Sequence, residues 1–567
     1  MNESWKIPVA YFLVNGLSAE TRANLLKTCL SECYRVGVDI IAITLDGCSS
    51  NINAATLLGC DLKQPSNLKT TFGHPECNLD VAIMFDPCHM VKLVRNSFES
   101  KRQFFDGSGR KIRWQSLENL VKLQKNVGLN FANKITPRHI YFRNQVMTVK
   151  LATQIMSMHV ANALKLCDEI LTSSLFVDTE GTVDFIEMLN HLFEIFNSKS
   201  SDLYGMKKPL SLKTANDIIV FLEIAKQYIL NLYIFTKYRH KVGKKITIKI
   251  IKKKIVASKH KTGFLGFLVC IESLKHLYTT LIEGQRLQHI ATHRFSQDHI
   301  EILFGAIRQH GVYNNNPSVM QFKGIFKKIL QRLKTKSSFL GNCLSLEDTA
   351  LTCSSGVDNI NSTVSRRTMD EEIYSIESDS KSISTIENVI ETNVAVFSAM
   401  LNQESVKTTT KQIVGYISGW VSRKLASVLK CSTCIDSLYS NNKLWFHKLI
   451  ILKTMGGLCF SSEDVFQICL KSESIIKNYI KEMGHTSLPD HRDIQILKNR
   501  ILKSFIGCND VLSSLHQHSL EQHPTFDHRV QLIRAVIDKF IHVRLHFAHK
   551  TSESNYKRQK TNKLCLF

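Results

Sequence analysis

Two short apolar runs near the N-terminus each end on an aspartate, and they constrain the fold more than any other feature. DIIAITL (39–45) delivers Asp46, and VAIMF (81–85) delivers Asp86. Runs this short, rich in β-branched and aromatic residues, read as buried strands. IPVAYFLV (7–14) reads as another. Between them Ser18 can cap a helix that carries Glu20 in its first turn and ends near Gly37, and a second helix is expected from Asn51 to Leu58. This alternation predicts an α/β layer with acidic residues at strand ends, where ligands and catalytic groups of such sheets gather. Asp46 is followed by Gly47, so a plain Asp-Gly turn explains it at least as well from local sequence.

From Met90 to about Tyr278 the apolar residues recur at helical spacing, as in VMTVKLATQIMSMHVANAL and TVDFIEMLNHLFEIFN, and an all-helical region is expected. It contains TKYRHKVGKKITIKIIKKKIVASKHK (236–261), dense in lysine with alternating isoleucine. That stretch fits a solvated hairpin or loop, or a phosphate-backbone contact or nuclear-import signal. RFSQDHIEILFGAIRQHG (294–311) returns to a strong helix. Ser296 can cap it, and Asp298 and Glu301, three residues apart, can face one direction. Asp298 is suited to the positive end of the helix dipole. Glu301 lies among Ile300, Ile302, Leu303 and Phe304, where an unpaired carboxylate is costly. Carboxylates converging from a strand end and a helix suit a divalent metal such as Mg²⁺, and two such ions can serve in-line phosphoryl displacement.

The chain has 567 residues and a formal net charge of +24, which favours a polyanionic partner, nucleic acid before an anionic membrane surface. The N-terminus does not read as a signal peptide, and no run of 18 apolar residues predicts a membrane span. The 16 scattered cysteines suit a reduced cytosolic or nuclear compartment, as free thiols or metal ligands. Cys431 and Cys434 in KCSTC make half a zinc site; His516, His518, His523 or His528 could complete it, or the thiols are simply packed among helices.

Several stretches, in this order, resemble the P-element transposase family, which includes the THAP-domain transposases of vertebrates: KIPVAYFLVNGLSAETRANLL, VDIIAITLDGCSSN, MFDPCHMVKLVRN, FANKITPRHI, FIEMLNHLFEIFNSK, RFSQDHIEILFGAIRQHG and QIVGYISGWVSRKL. The resemblance implies an α/β plus all-α chain: an RNase H-like catalytic core interrupted by a large GTP-binding helical insertion and followed by a helical C-terminal domain. On that scheme residues 1–89 and 291–344 are the two parts of the core, 90–290 the insertion, 345–405 a Ser-rich acidic linker and 406–567 the C-terminal domain. The implied activity is cut-and-paste DNA transposition with an Asp-Asp-Glu triad and Mg²⁺ or Mn²⁺, in the nucleus, by a homo-oligomer on double-stranded transposon ends, with no membrane partner.

Asp46 matches the second Asp of the triad and Glu301 its Glu, and Asp298 matches an acidic neighbour. Asp86 and His89 resemble an Asp-x-x-His motif whose histidine would lie near DNA phosphates; a structural histidine is the alternative. With no P-loop present, GTP would be held by side chains: Lys134 on phosphate, Phe193 on the base, and Glu194 and Asn197 nearby, although Phe193 alone reads as a core residue. The strand that carries the family's first Asp, its THAP module and its coiled coil find no match, so the chain is expected to be a truncated or domesticated member that does not cleave DNA by itself. The alternatives are a domesticated non-catalytic DNA- or GTP-binding protein and a helical GTP-binding scaffold.

Overall fold

The computed structural model describes residues 5–131, 133–171, 175–199, 204–242, 245–310, 316–332, 334–335, 349–351, 403–454, 457–483, 491–505, 510–516, 518 and 527–545. It divides into two compact units. The first comprises Met1–Gln115, Arg138–Met158 and Glu180–Tyr374; the second comprises Ser116–Pro137, His159–Thr179 and Ser375–Phe567. The Ser-rich acidic linker expected from sequence falls largely outside the described residues, as does His523.

The first unit is organised on a three-stranded sheet. Asp80–Phe85 is its central strand, parallel to Ala42–Leu45 on one side and antiparallel to Thr71–Gly73 on the other. Val81, Ala82, Ile83 and Met84 are fully buried, as a strand covered on both faces requires. The Ala19–Arg35 helix begins where expected, with the Ser18 hydroxyl accepting the Thr21 N–H, and a second helix spans Ser49–Leu58.

The Thr262–Tyr278 helix lies against the central strand. The Cys270 thiol donates to the Phe85 carbonyl at 3.0 Å and the Ser273 hydroxyl to the Ile83 carbonyl at 2.5 Å. Gly266 lets the same helix also run close to the Pro87–Lys101 helix, since a Cβ there would overlap the Met90 sulfur. Extended by one turn to Glu283, this helix is long and apolar enough to cross a membrane, but it is 72% buried and serves as a core helix.

Two strand expectations need correction. Ile7 to Val14 is not a strand: only Trp5–Lys6 pairs, with Thr349–Leu351, and the run itself stays irregular. Pro8 has no N–H to give a ladder, and Val9, Phe12 and Val14 are each more than half exposed. Nor is the region from Met90 to Tyr278 all helical. Gln103–Phe105, Lys111–Arg113, Tyr233–Val242 and Lys245–Lys254 form a four-stranded antiparallel sheet. The lysine-rich stretch is its long hairpin, because isoleucine alternating with lysine has the two-residue period of a strand.

The second unit is helical. Gln403–Ala426, Glu463–Glu482 and His491–Lys503 are its long C-terminal helices. Gly415 and Gly419 let the first of these run against the backbone carbonyls of Phe446 and Cys459. Phe446 and Phe466 stack at 3.8 Å, and the buried Glu473 carboxylate is paired with Arg544 at 2.9 Å.

Candidate active site

Strand register places the first two carboxylates. Leu45 pairs with Phe85 across the parallel strands, and the Asp86 N–H donates to the Leu45 carbonyl at 2.9 Å. Asp46 and Asp86 therefore leave the sheet side by side at its C-terminal edge. Each carboxylate is held by the backbone that follows it. Asp46 Oδ1 accepts the Cys48 N–H at 3.0 Å and the Asn51 amide at 2.6 Å, and Arg22 donates in turn to Asn51. Asp86 caps the Pro87–Lys101 helix through the Cys88 N–H at 3.1 Å. Both Asp-turn geometry and a strand-end position thus hold for Asp46; they are not alternatives.

The Asp298–His310 helix brings the remaining two, Asp298 and Glu301, both in its first turn. The Gln297 amide donates to the Thr44 carbonyl at 3.5 Å, tying the helix start to the strand that carries Asp46. Its other side packs through Ala306 and Ile307 against Ile325, Phe326 and Ile329 of the Val319–Arg332 helix.

The charges of these residues act on one another. Burial raises the Asp86 carboxyl to about 6; the charges of Asp298 and Glu301 add to the rise, and the Cys88 N–H and Lys92 oppose it. Asp298 is raised to about 6 by burial and then by Glu301, against Ser296, Lys92 and Lys6. Asp46 behaves in the opposite way. Burial works against its charge, but hydrogen bonds from Cys48 and Asn51 and the nearby His89 outweigh it and hold the carboxyl below its usual value. His89 is lowered by burial and by Lys92, with Asp46 and Glu301 pulling the other way. Asp46, Asp86, His89, Asp298 and Glu301 therefore share one electrostatic neighbourhood.

Sequence reasoning missed three members of this neighbourhood. Lys92 is only 4% exposed and is the cation facing the acidic group. It follows His89 at i+3, the spacing of one helical face, which was the available signal. Asn51 and Arg22 sit behind Asp46, and nothing local in the sequence marks them.

The residues considered for a nucleotide belong to both units. Phe193, half-buried, and Glu194 lie near the end of the Glu180–Phe196 helix, with Asn197 just beyond, and Glu194 pairs with Lys207 at 3.4 Å. Lys134 is exposed and belongs to the second unit. Cys431 and Cys434 do gather histidines: the Cys431 sulfur lies 3.0 Å from His518 Nε2 and the Cys434 sulfur 3.7 Å from His528 Nδ1. His516 is not part of that group.

Four known families match successive parts of the chain. The TNP-like RNase H N-terminal domain matches residues 1–59, the TNP-like GTP-binding insertion domain 88–209, the TNP-like RNase H C-terminal domain 293–327, and the C-terminal domain of DNA transposase THAP9 404–550. Human DNA transposase THAP9 is 27% identical over 95% of this chain and 57% of its own length. The Transposable element P transposase of Drosophila melanogaster is 29% identical over 58% of this chain and 40% of its own length. The chain thus spans about half the length of these relatives. A chain of the Drosophila P element transposase strand transfer complex aligns at 27% identity and a TM-score of 0.44, covering 55% of this chain and 64% of that one. With its RNase H-like, insertion and C-terminal segments matched in order along the sequence, the chain is similar to the P-element and THAP9 DNA transposases.

Proposed function

We propose that this chain carries the catalytic core of a P-element-type DNA transposase, with Asp46 and Glu301 as the metal-holding carboxylates and Asp86, Asp298 and His89 around them. The observation that carries this reading is the register Leu45↔Phe85, which sets two carboxylates side by side at strand ends within electrostatic reach of two more. The donor set fits Mg²⁺ or Mn²⁺: it is all oxygen, and the buried Asp86 and half-buried Asp298 are raised to about 6 by desolvation and by like charge, a strain that a divalent cation relieves. When bound, the ion supplies Lewis-acid stabilisation of the oxygens in phosphoryl displacement on DNA. The chain's own part is orientation. Cys48 and Asn51 fix the Asp46 carboxylate, and Gln297 fixes the helix that presents Glu301. On this reading His89 would meet DNA phosphate.

On the same reading residues 1–89 and 291–344 form the split core, 90–290 the GTP-binding insertion and 406–567 the C-terminal domain. Double-stranded transposon ends and GTP are the partners, a homo-oligomer is the working form, and the nucleus is its place. The net charge of +24 suits the DNA backbone.

A second reading, a non-catalytic DNA- or GTP-binding protein, draws on a different observation. Among the described residues, the carboxylates do not form a converged group of metal ligands, and the buried Lys92 already faces them. Mn²⁺ titration of the full chain, followed by the paramagnetic signal of free ion, separates the two. Saturable binding that weakens roughly tenfold or more in Asp46→Asn and in Glu301→Gln supports the catalytic core. No saturable binding, with salt-sensitive duplex binding retained, supports the second reading.

A further inference from the structure

We propose that Cys431, Cys434, His518 and His528 form a four-coordinate structural zinc site in the second unit. Their four ligand atoms all lie within 4.8 Å of one another. Zinc at about 2.3 Å from sulfur and about 2.0–2.1 Å from nitrogen, in a tetrahedron, requires sulfur-to-nitrogen edges of about 3.6 Å. The observed separations of 3.0 and 3.7 Å bracket that value. The two imidazole rings stand 5.0 Å apart at 78°, so neither blocks the other's approach to a shared centre.

Two thiols and two imidazoles are a zinc donor set, softer than the all-oxygen group of the first unit. With four protein ligands no position is left for water or substrate, which marks a structural site and not a catalytic one.

The placement of the ligands shows what the ion would hold. Cys431 precedes the short Ser432–Asp436 helix, and Cys434 lies inside it. His528 stands at the start of a helix that continues to residue 545. That helix is already tied near its far end by the Arg544–Glu473 pair, and the Arg529 side chain donates to the Val511 carbonyl at 2.8 Å. A zinc ion would fix its near end to the corner after the Gln403–Ala426 helix, joining segments 87 and 94 residues apart in sequence. The site does not depend on the carboxylate reading of the first unit.

The test uses the full chain, purified under reducing conditions without a metal-chelating tag. Elemental analysis is expected to find about one zinc per chain. Co²⁺ substitution is expected to give the ligand-field and sulfur charge-transfer bands of a tetrahedral thiolate site. Cys434→Ser and His518→Ala should each lower bound zinc at least about tenfold, whereas His516→Ala and Cys459→Ser, outside the cluster, should retain it. If the ligand variants fail to fold, the wild-type chain decides: Cys431 and Cys434 should resist alkylation until a chelator is added. The proposal is overturned if the wild-type chain takes up no stoichiometric zinc even after reconstitution with Zn²⁺, if zinc persists in Cys434→Ser, or if the two cysteines alkylate equally fast with and without chelator.

Discussion

On the readings proposed above, the carboxylate group of the first unit and the Cys/His group of the second would hold an ion in opposite ways. The carboxylates ride on regular elements: adjacent strand ends fix Asp46 and Asp86, and the first turn of one helix carries Asp298 and Glu301. They stand apart and repel one another, with Lys92 as the buried counter-charge. The Cys/His group comes from a helix corner and a distant segment, yet its ligand atoms have already converged. A frame that exists before its ion can be kept open for chemistry, whereas ligands that a frame does not hold are suited to a bond that makes the frame.

The largest effect that would sharpen this contrast is metal removal. Structural zinc contributes apparent binding free energy on the order of 10 kcal/mol to small domains. Chelation should therefore release hydrogen-exchange protection around 431–436 and 528–545 while leaving the strand at Asp80–Phe85 protected. Equal loss in both units would break the comparison.

Packing comes next. A Cβ on Gly415 would run into the Phe446 backbone carbonyl, which cannot move aside. Gly415→Ala should cost about 3 kcal/mol, near the upper end of overpacking penalties. Gly266→Ala meets the Met90 side chain, which can rotate, and should cost less, about 1–2 kcal/mol. Urea midpoints of the two variants rank them.

Within the carboxylate group, Asp86→Asn and Asp46→Asn should move stability in opposite directions. The amide introduced by Asp86→Asn keeps the cap on Cys88 and relieves a raised acid, so a gain of about 1 kcal/mol is expected. Asp46 is held below its usual value by its hydrogen bonds, so its amide variant should lose stability. Both should weaken Mn²⁺ binding. A loss of stability in Asp86→Asn would show that the acids do not repel.

A further effect is on pH. Asp86 and Asp298 have folded values near 6, above the ordinary 3.8. Between about pH 4 and 6 the unfolded chain therefore binds fewer protons than the folded one, and stability falls as pH rises through that window and levels above it. Chemical denaturation at pH 4.5 and 7, read out by exchange within the Pro87–Lys101 helix, should show this fall, and added Mn²⁺ should shrink it.

The sequence disclosed the first site better than the second because periodicity and strand ends are local. The runs before Asp46 and Asp86 and the helical turn holding Asp298 and Glu301 could be read directly. Which strands pair could not, and Pro8 undid the expected strand at Ile7 to Val14. The lysine-rich stretch could be read as a hairpin, but its joining of Gln103–Phe105 and Lys111–Arg113 in one sheet could not be. Cys431 and Cys434 announced half a site, but only the fold selects His518 and His528 over His516. Lys92 escaped because a lysine on an otherwise apolar helix reads as a surface residue until its burial is known.

The pairing of Leu45 with Phe85 also decides which changes in chain length can be inherited. Loop closure grows only slowly with length, so the loops along the path from the Pro87–Lys101 helix to Gln297, apart from the Thr262–Tyr278 helix that packs on the central strand, can lengthen, shorten or acquire a new binding role with little thermodynamic consequence for the acidic group. A single residue inserted within Ala42–Leu45 or Asp80–Phe85 would instead turn one aspartate to the opposite face of the sheet. Variation in such a lineage should therefore collect in the detour and stop abruptly at these two short strands.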